Sequence, residues 1–169
     1  MDAITYLANG LSAGKVRKWL AREKLTTALS RKEVELLNGP VLQEGHPYEY
    51  EFTSERVEGI WALVWALRLV DRLDFRTACS EDLADMLPQL HKKETGQKIR
   101  SITTMRSADE IGEACDLAYC LDWIMVNESL KGREEFNGFD PGTIVGRRRS
   151  LDWMFNEQDE DYDDISLNT

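Results

Sequence analysis

The sequence is poor in the residues that most often build metal sites and nucleophilic centres. Its two histidines, His46 and His91, lie before a proline and at an expected helix end, and neither has a carboxylate or cysteine at ligand spacing. A zinc site is not expected, because it takes several such groups at short, fixed intervals. Cys79, Cys115 and Cys120 make an odd count without disulfide or zinc spacing. They are expected as reduced, mostly buried thiols in a cytoplasmic protein. There is no P-loop, no GxSxG elbow, no GxGxxG turn and no EF-hand loop, so the usual cradles for phosphate, oxyanion, dinucleotide and calcium are missing. No cofactor and no metal are expected. The opening MDAITYLANG lacks the basic start and apolar run of a secretion signal. The apolar stretch Ala62–Val70 is broken by Arg68 and is too short for a bilayer. No membrane association is expected.

Positive charge is also scarce. Lys and Arg number 21 against 31 Asp and Glu, a net charge of −10. The segment Glu157–Asp164, EQDEDYDD, supplies six of the acids and no base. This balance disfavours nucleic acid, whose phosphates need neutralising by Lys and Arg. It suits a basic protein partner, or serves solubility. The chain has 169 residues and is 42% hydrophobic, enough for one domain with a real core. We expect a helical domain over residues 1–156 and an acidic tail over 157–169, without internal repeats.

The periodicity is helical throughout. Thr53–Val70, TSERVEGIWALVWALRLV, is apolar on nearly every side, the mark of a centrally buried helix. Thr53 or Ser54 is its expected cap, and Val41–Phe52 before it is expected to be irregular. Gly59 within it lowers helix stability by roughly 1 kcal/mol relative to Ala, and a close helix crossing would explain it. Ala13–Lys24 carries Val16, Trp19 and Leu20 at helical spacing after Ser12 as cap. Ser30 with Glu33, and Ser107 with Glu110, have capping-box spacing. The first opens a short helix that ends at Asn38-Gly39-Pro40, and the second opens the longest helix, Ser107–Leu130. On that helix Ile111, Ala114, Cys115, Ala118, Leu121 and Met125 share a face that Leu117, Cys120 and Ile124 widen. Ser80–Leu90 reads as a helix shortened by Pro88, followed by a loop over His91–Thr104 with an extended piece at Ile99–Ile102. Asp140-Pro141 places a cap and a first-turn proline before the last helix, whose core face is Ile144, Leu151, Met154 and Phe155. The five tryptophans, Trp19, Trp61, Trp65, Trp123 and Trp153, are expected in the core. The fold class is therefore all-α, a single compact domain of about six helices around a buried, Trp-rich central helix.

Several segments together resemble one family: EGIWALVWALRLVDRLDF, RSADEIGEACDLAYCLDW, FDPGTIVGRRRSLDWM and the ending DYDDISLNT. In this order and spacing they are similar to the bacterial family called domain of unknown function 4272, from about Lys15 to Thr169. The resemblance implies the helical fold and no particular chemistry. It also implies that a further N-terminal region common in that family is missing here. At Asp122 the family typically has His, and at Gly146 a more polar residue.

A few charges fall on apolar faces. Asp122 lies among Cys115, Ala118 and Met125, and Glu58 lies beside Trp61 and Trp65. An unpaired buried carboxylate is costly, so both should meet guanidinium groups from Arg147, Arg148 or Arg149, whose fork matches a carboxylate. Three outcomes are open: an internal salt-bridge network that fixes helix order, a polar pocket for a small anionic or zwitterionic ligand, or exposure of all of them at the surface. The arginine run could equally hold the chain's own acidic tail. The leading functional expectation is a non-catalytic interaction or regulatory module. The alternatives are a ligand binder or enzyme using Glu58, Asp122 and the three arginines, and a homodimer with a seam at Tyr48–Phe52.

Overall fold

The computed structural model describes residues 12–38, 47–133, 136–156 and 160–168, and for 47–53 only the backbone. Among them are seven α-helices and no strand: α1 Ala13–Glu23, α2 Arg31–Asn38, α3 Pro47–Ala66, α4 Leu83–Met86, α5 Gln97–Arg100, α6 Ala108–Leu130 and α7 Pro141–Met154. The chain is all-α, as its periodicity requires.

Local capping chemistry places the starts of three helices, α2, α6 and α7, while Ser12 precedes α1 without a side-chain cap bond. Ser107 accepts from the Glu110 amide while Glu110 accepts from the Ser107 amide, a complete capping box at the start of α6. The Asp140 carboxylate accepts from the Thr143 amide at 2.7 Å, and Pro141 occupies the first turn of α7. At α2 the Ser30 amide donates to Glu33 Oε2 at 2.9 Å.

The central helix differs from expectation at both ends. It begins at Pro47, so Tyr48–Phe52 belong to it rather than to an irregular connector; residues 41–46 lie outside the described part. Pro47 suits a first helical position because its missing amide has no intrahelical partner there. The helix ends at Ala66 rather than Val70. Arg68 takes the left-handed conformation, with φ 58°. The Leu69 amide reaches the Val64 carbonyl and the Arg68 amide that of Trp65, both at 2.9 Å, which is a Schellman turn. Arg106 fixes this end: its amide donates to the Ala66 carbonyl and its guanidinium to those of Trp65, Val70 and Asp71. The expected helix at Ser80–Leu90 shrinks to α4 before Pro88, and of Ile99–Ile102, expected extended, Ile99 and Arg100 instead belong to α5.

α7 packs against both α3 and α6. The main core joins Ala62, Trp65 and Ala66 of α3, Ile111, Ala118 and Met125 of α6, and Ile144 and Leu151 of α7. The long helix thus meets α3 largely through α7. A Cβ at Gly146 would lie 2.2 Å from the Glu55 carbonyl oxygen, and one at Gly59 would lie 2.6 Å from Ser150 Oγ. Glycine is required at Gly146, where the backbone of α3 comes too close for a side chain; at Gly59 the obstructing atoms are the hydroxyls of Tyr162 and Ser150, with the Gly146 carbonyl oxygen 3.2 Å away. The Gly59 crossing expected from the sequence is this contact. A separate cluster of Val16, Trp19, Leu20 and Leu37 forms an N-terminal lobe.

Candidate functional site

The charges singled out in the sequence form closed pairs. Glu58 and Arg147 meet at the α3–α7 crossing, where both are almost wholly buried: the side chains are 4% and 0% exposed. Arg147 Nε and Nη2 donate to Glu58 Oε2 at 2.9 and 2.6 Å, and Nη2 also donates to the Thr77 carbonyl at 2.8 Å. The other oxygen, Glu58 Oε1, accepts from the Cys79 amide at 2.8 Å. One ion pair thereby fixes two helices and the loop that follows α3. Arg147 Nη1 is buried and finds no partner among the described residues.

Asp122 of α6 pairs with Arg148, the next residue of α7. Arg148 Nε also reaches Asp152 Oδ2 at 3.3 Å, and its guanidinium lies 4.9 Å from the ring centre of Tyr119. Its remaining donors approach the carbonyls of Leu167 and Asn168 at 3.3 and 3.4 Å. Arg149 donates to the Ile165 carbonyl at 3.2 Å. Successive residues of a helix point about 100° apart, so three consecutive arginines address three different partners. Glu58, Asp122 and Arg147–Arg149 therefore do not converge on one opening. They are joined through α7, and neither Asp122 nor Arg147 lines the cavity of about 500 Å³ beside α3.

The acidic C-terminal segment folds back on the body. Asp161 accepts from the Arg31 amide at 2.9 Å and Asp163 from the Lys32 amide at 2.8 Å. Both are first-turn amides of α2, where negative charge meets unpaired N–H groups and the positive end of the helix dipole. Asp163 also pairs with the buried Arg56, and Asp164 with Arg31. Arg56 lies 4.5 Å from the ring centre of Tyr162, whose hydroxyl is 2.9 Å from Ser150 Oγ. Ile165 is buried.

This fold-back borders a cavity of about 500 Å³ between the N-terminal lobe and the α3–α7 body. Leu25 and Leu29 form one wall and Ile60, Leu63 and Leu67 another, while Arg56, Ser150 and Tyr162 bound one end. None of these was singled out as a site residue from the sequence. A signal existed for Arg56: it precedes Ile60, Leu63, Val64 and Leu67 at helical intervals, a charge on an apolar face of the kind that exposed Asp122.

Two of the three thiols, Cys79 and Cys115, are poor nucleophiles. Burial, reinforced by the Glu58 carboxylate, pushes Cys79 up to about 11. Burial and the hydrogen bond from Cys115 Sγ to Asp152 push Cys115 up to about 12. Both stay protonated near neutral pH, and the thiolate is the reactive form. Cys120 is exposed rather than packed in the core. Among the described residues no group of His, Cys, Asp and Glu could hold a metal ion. No helix among them is long and apolar enough to cross a membrane.

One surface departs from the expected amphipathic pattern. Leu117, Cys120 and Ile124 do not widen the buried face of α6 but stand on its outer side with Tyr119, Trp123, Val126 and Leu130. Trp123 is 49% exposed and Leu130 83%. Trp153 and Phe155 are exposed as well. For the α6 residues the expectation of a core position fails because, among the described residues, α7 covers one side of α6; Trp153 and Phe155 stand at the exposed end of α7.

No curated protein and no solved structure matches the chain significantly. The model of one family, Domain of unknown function (DUF4272), matches residues 2–165, and the chain belongs to that family.

Proposed function

We infer that the protein is a non-catalytic interaction module whose contact surface is the outer face of α6. The observation that carries this reading is the run of exposed Leu117, Tyr119, Trp123, Ile124, Val126 and Leu130 along one helix. Contiguous apolar surface of several hundred Å² is uncommon on a monomer unless something covers it, and a central aromatic such as Trp123 is the residue type that anchors interfaces. The N-terminal half of the same helix exposes Asp109, Glu113 and Asp116. A fitting partner is a protein surface with an apolar centre and a basic margin, in the cytoplasm, where the three thiols stay reduced. The closed Glu58–Arg147 and Asp122–Arg148 pairs and the raised thiols support a regulatory or scaffolding role over catalysis.

Leu117→Ser/Trp123→Ser tests the reading. Both positions are exposed, so the variant should melt within about 2 °C of wild type, surface changes being close to neutral. In capture from cell extract with quantitative mass spectrometry, and in light scattering for self-association, wild type should retain a partner or a second copy that the variant loses. Equal retention by both proteins, or a monomer that captures nothing, refutes the assignment.

A further inference from the structure

The cavity between the N-terminal lobe and the α3–α7 body is separate from the α6 surface and has its own chemistry. Its walls are aliphatic on both sides, Leu25 and Leu29 facing Ile60, Leu63 and Leu67. Its volume of about 500 Å³ falls in the range of small-molecule sites, which favour the junctions between packed units. The lobes are held around it by polar links. The carboxylate of Glu23 accepts from the Gly96 amide at 3.1 Å and pairs with Arg100 at 2.6 Å. On another part of the rim Asp163 pairs with Arg56, and Asp164 with Arg31. These contacts join the lobes and leave a space between them that no side chain among the described residues fills.

The charges decide what fits. The two arginines that line the cavity, Arg56 and Arg100, each already face a carboxylate, Asp163 and Glu23. Glu33, Glu160 and Asp161 add negative charge to the lining. Among the described residues an anionic head would therefore find no uncompensated cation and would meet surplus acids, while its own desolvation would be unrewarded. A cationic head would have to break or share an existing pair. We propose that this cavity binds an uncharged, predominantly apolar small molecule bearing a hydroxyl or carbonyl group. The aliphatic walls take its apolar part, and its polar group lies at the Tyr162 end, where the Tyr162 hydroxyl, 2.9 Å from the enclosed Ser150 Oγ, offers a hydrogen-bonding partner. Because Asp161 and Tyr162 line the cavity while Asp161 and Asp163 hold the first-turn amides of α2, occupancy also steadies the docked C-terminal segment.

The test uses the full chain and four probes: the neutral fluorophore N-phenyl-1-naphthylamine as reporter, with 1-dodecanol, dodecanoate and dodecylammonium as competitors below their aggregation concentrations. Ala28→Trp and Leu67→Trp fill the cavity from opposite walls, and Leu117→Ser/Trp123→Ser removes the apolar face of α6. The expected result is saturable reporter binding, displacement by the alcohol at least tenfold more effective than by either charged analogue, and at least tenfold weaker binding to whichever cavity variant keeps the wild-type melting profile. The α6 variant should bind the reporter as wild type does. Amide exchange over 160–168 should slow when the alcohol is bound. The proposal is overturned by absence of saturable binding, by reporter binding unchanged in folded cavity variants, by loss of binding in the α6 variant, or by charged analogues that compete as well as the alcohol.

Discussion

Replacing Glu58 by Gln removes one charge from the centre of the molecule and little else. The side chains are nearly isosteric, and the carbonyl of the new amide can still accept from the Cys79 backbone N–H, which the carboxylate now does at 2.8 Å. What is lost is the counter-charge of a guanidinium with a side-chain exposure of 0%. In the wild type two of its donors reach one carboxylate oxygen, at 2.9 and 2.6 Å, and its remaining acceptor is the Thr77 carbonyl. A charge so enclosed cannot recruit water without opening the α3–α7 crossing, and Arg does not deprotonate. Breaking a buried pair of this type costs about 3–5 kcal/mol. For a chain of this size each kcal/mol moves the midpoint by about 2–4 °C, so Glu58→Gln should melt roughly 10 °C below wild type. Calorimetry or circular-dichroism melting reads this directly. Asp122→Asn should cost less, because Arg148 keeps Asp152 and the backbone carbonyls of Leu167 and Asn168. The double variant Glu58→Leu/Arg147→Met should recover part of the loss, since removing both charges leaves no buried ion while the orphaned Cys79 amide still costs about 1–3 kcal/mol. If Glu58→Gln melts within about 2 °C of wild type, the pair does not hold the crossing together. If Asp122→Asn proves the costlier change, the ranking by alternative partners is wrong.

Two further outcomes follow from the same geometry. Gly146→Ala puts a methyl 2.2 Å from the Glu55 carbonyl oxygen; the helices must separate, and a loss of about 1–3 kcal/mol or more in denaturant unfolding is expected, whereas Gly14→Ala on α1, with open space around it, should be neutral or slightly stabilising. The Arg100 hydrogen bond, then the Gly96 amide, hold Glu23 below the usual carboxylate range. Its contribution is therefore present above the unfolded pKa of about 4.3 and is lost as the pH falls through the lower folded value. The stability gap between wild type and Glu23→Gln should be largest near pH 6 and close steadily below about pH 4.5; a pH-independent gap contradicts the assignment.

The sequence by itself determined the helical class, the capping boxes, the start of α7 and the need for a close crossing at Gly59. Each depends on interactions within a few residues or on one periodicity. It also determined that Glu58 and Asp122 must meet guanidinium groups, because a carboxylate on an apolar face has few other ways to be satisfied. Which arginine meets which acid was a tertiary decision. Arg147 turns to α3 and Arg148 to α6 because α7 lies between those helices, and neighbouring helical positions diverge by about 100°. The start of α3 at Pro47 was obscured by a polar, aromatic run without a clear apolar stripe. Leu117, Trp123 and Ile124 were misplaced for a related reason: periodicity says that a face is apolar, but only packing says whether another helix covers it. The cavity was least legible of all. Its walls come from the N-terminal lobe, α3 and the C-terminal turn, and a void between separately packed clusters depends on how those clusters dock, which no local pattern in the chain records.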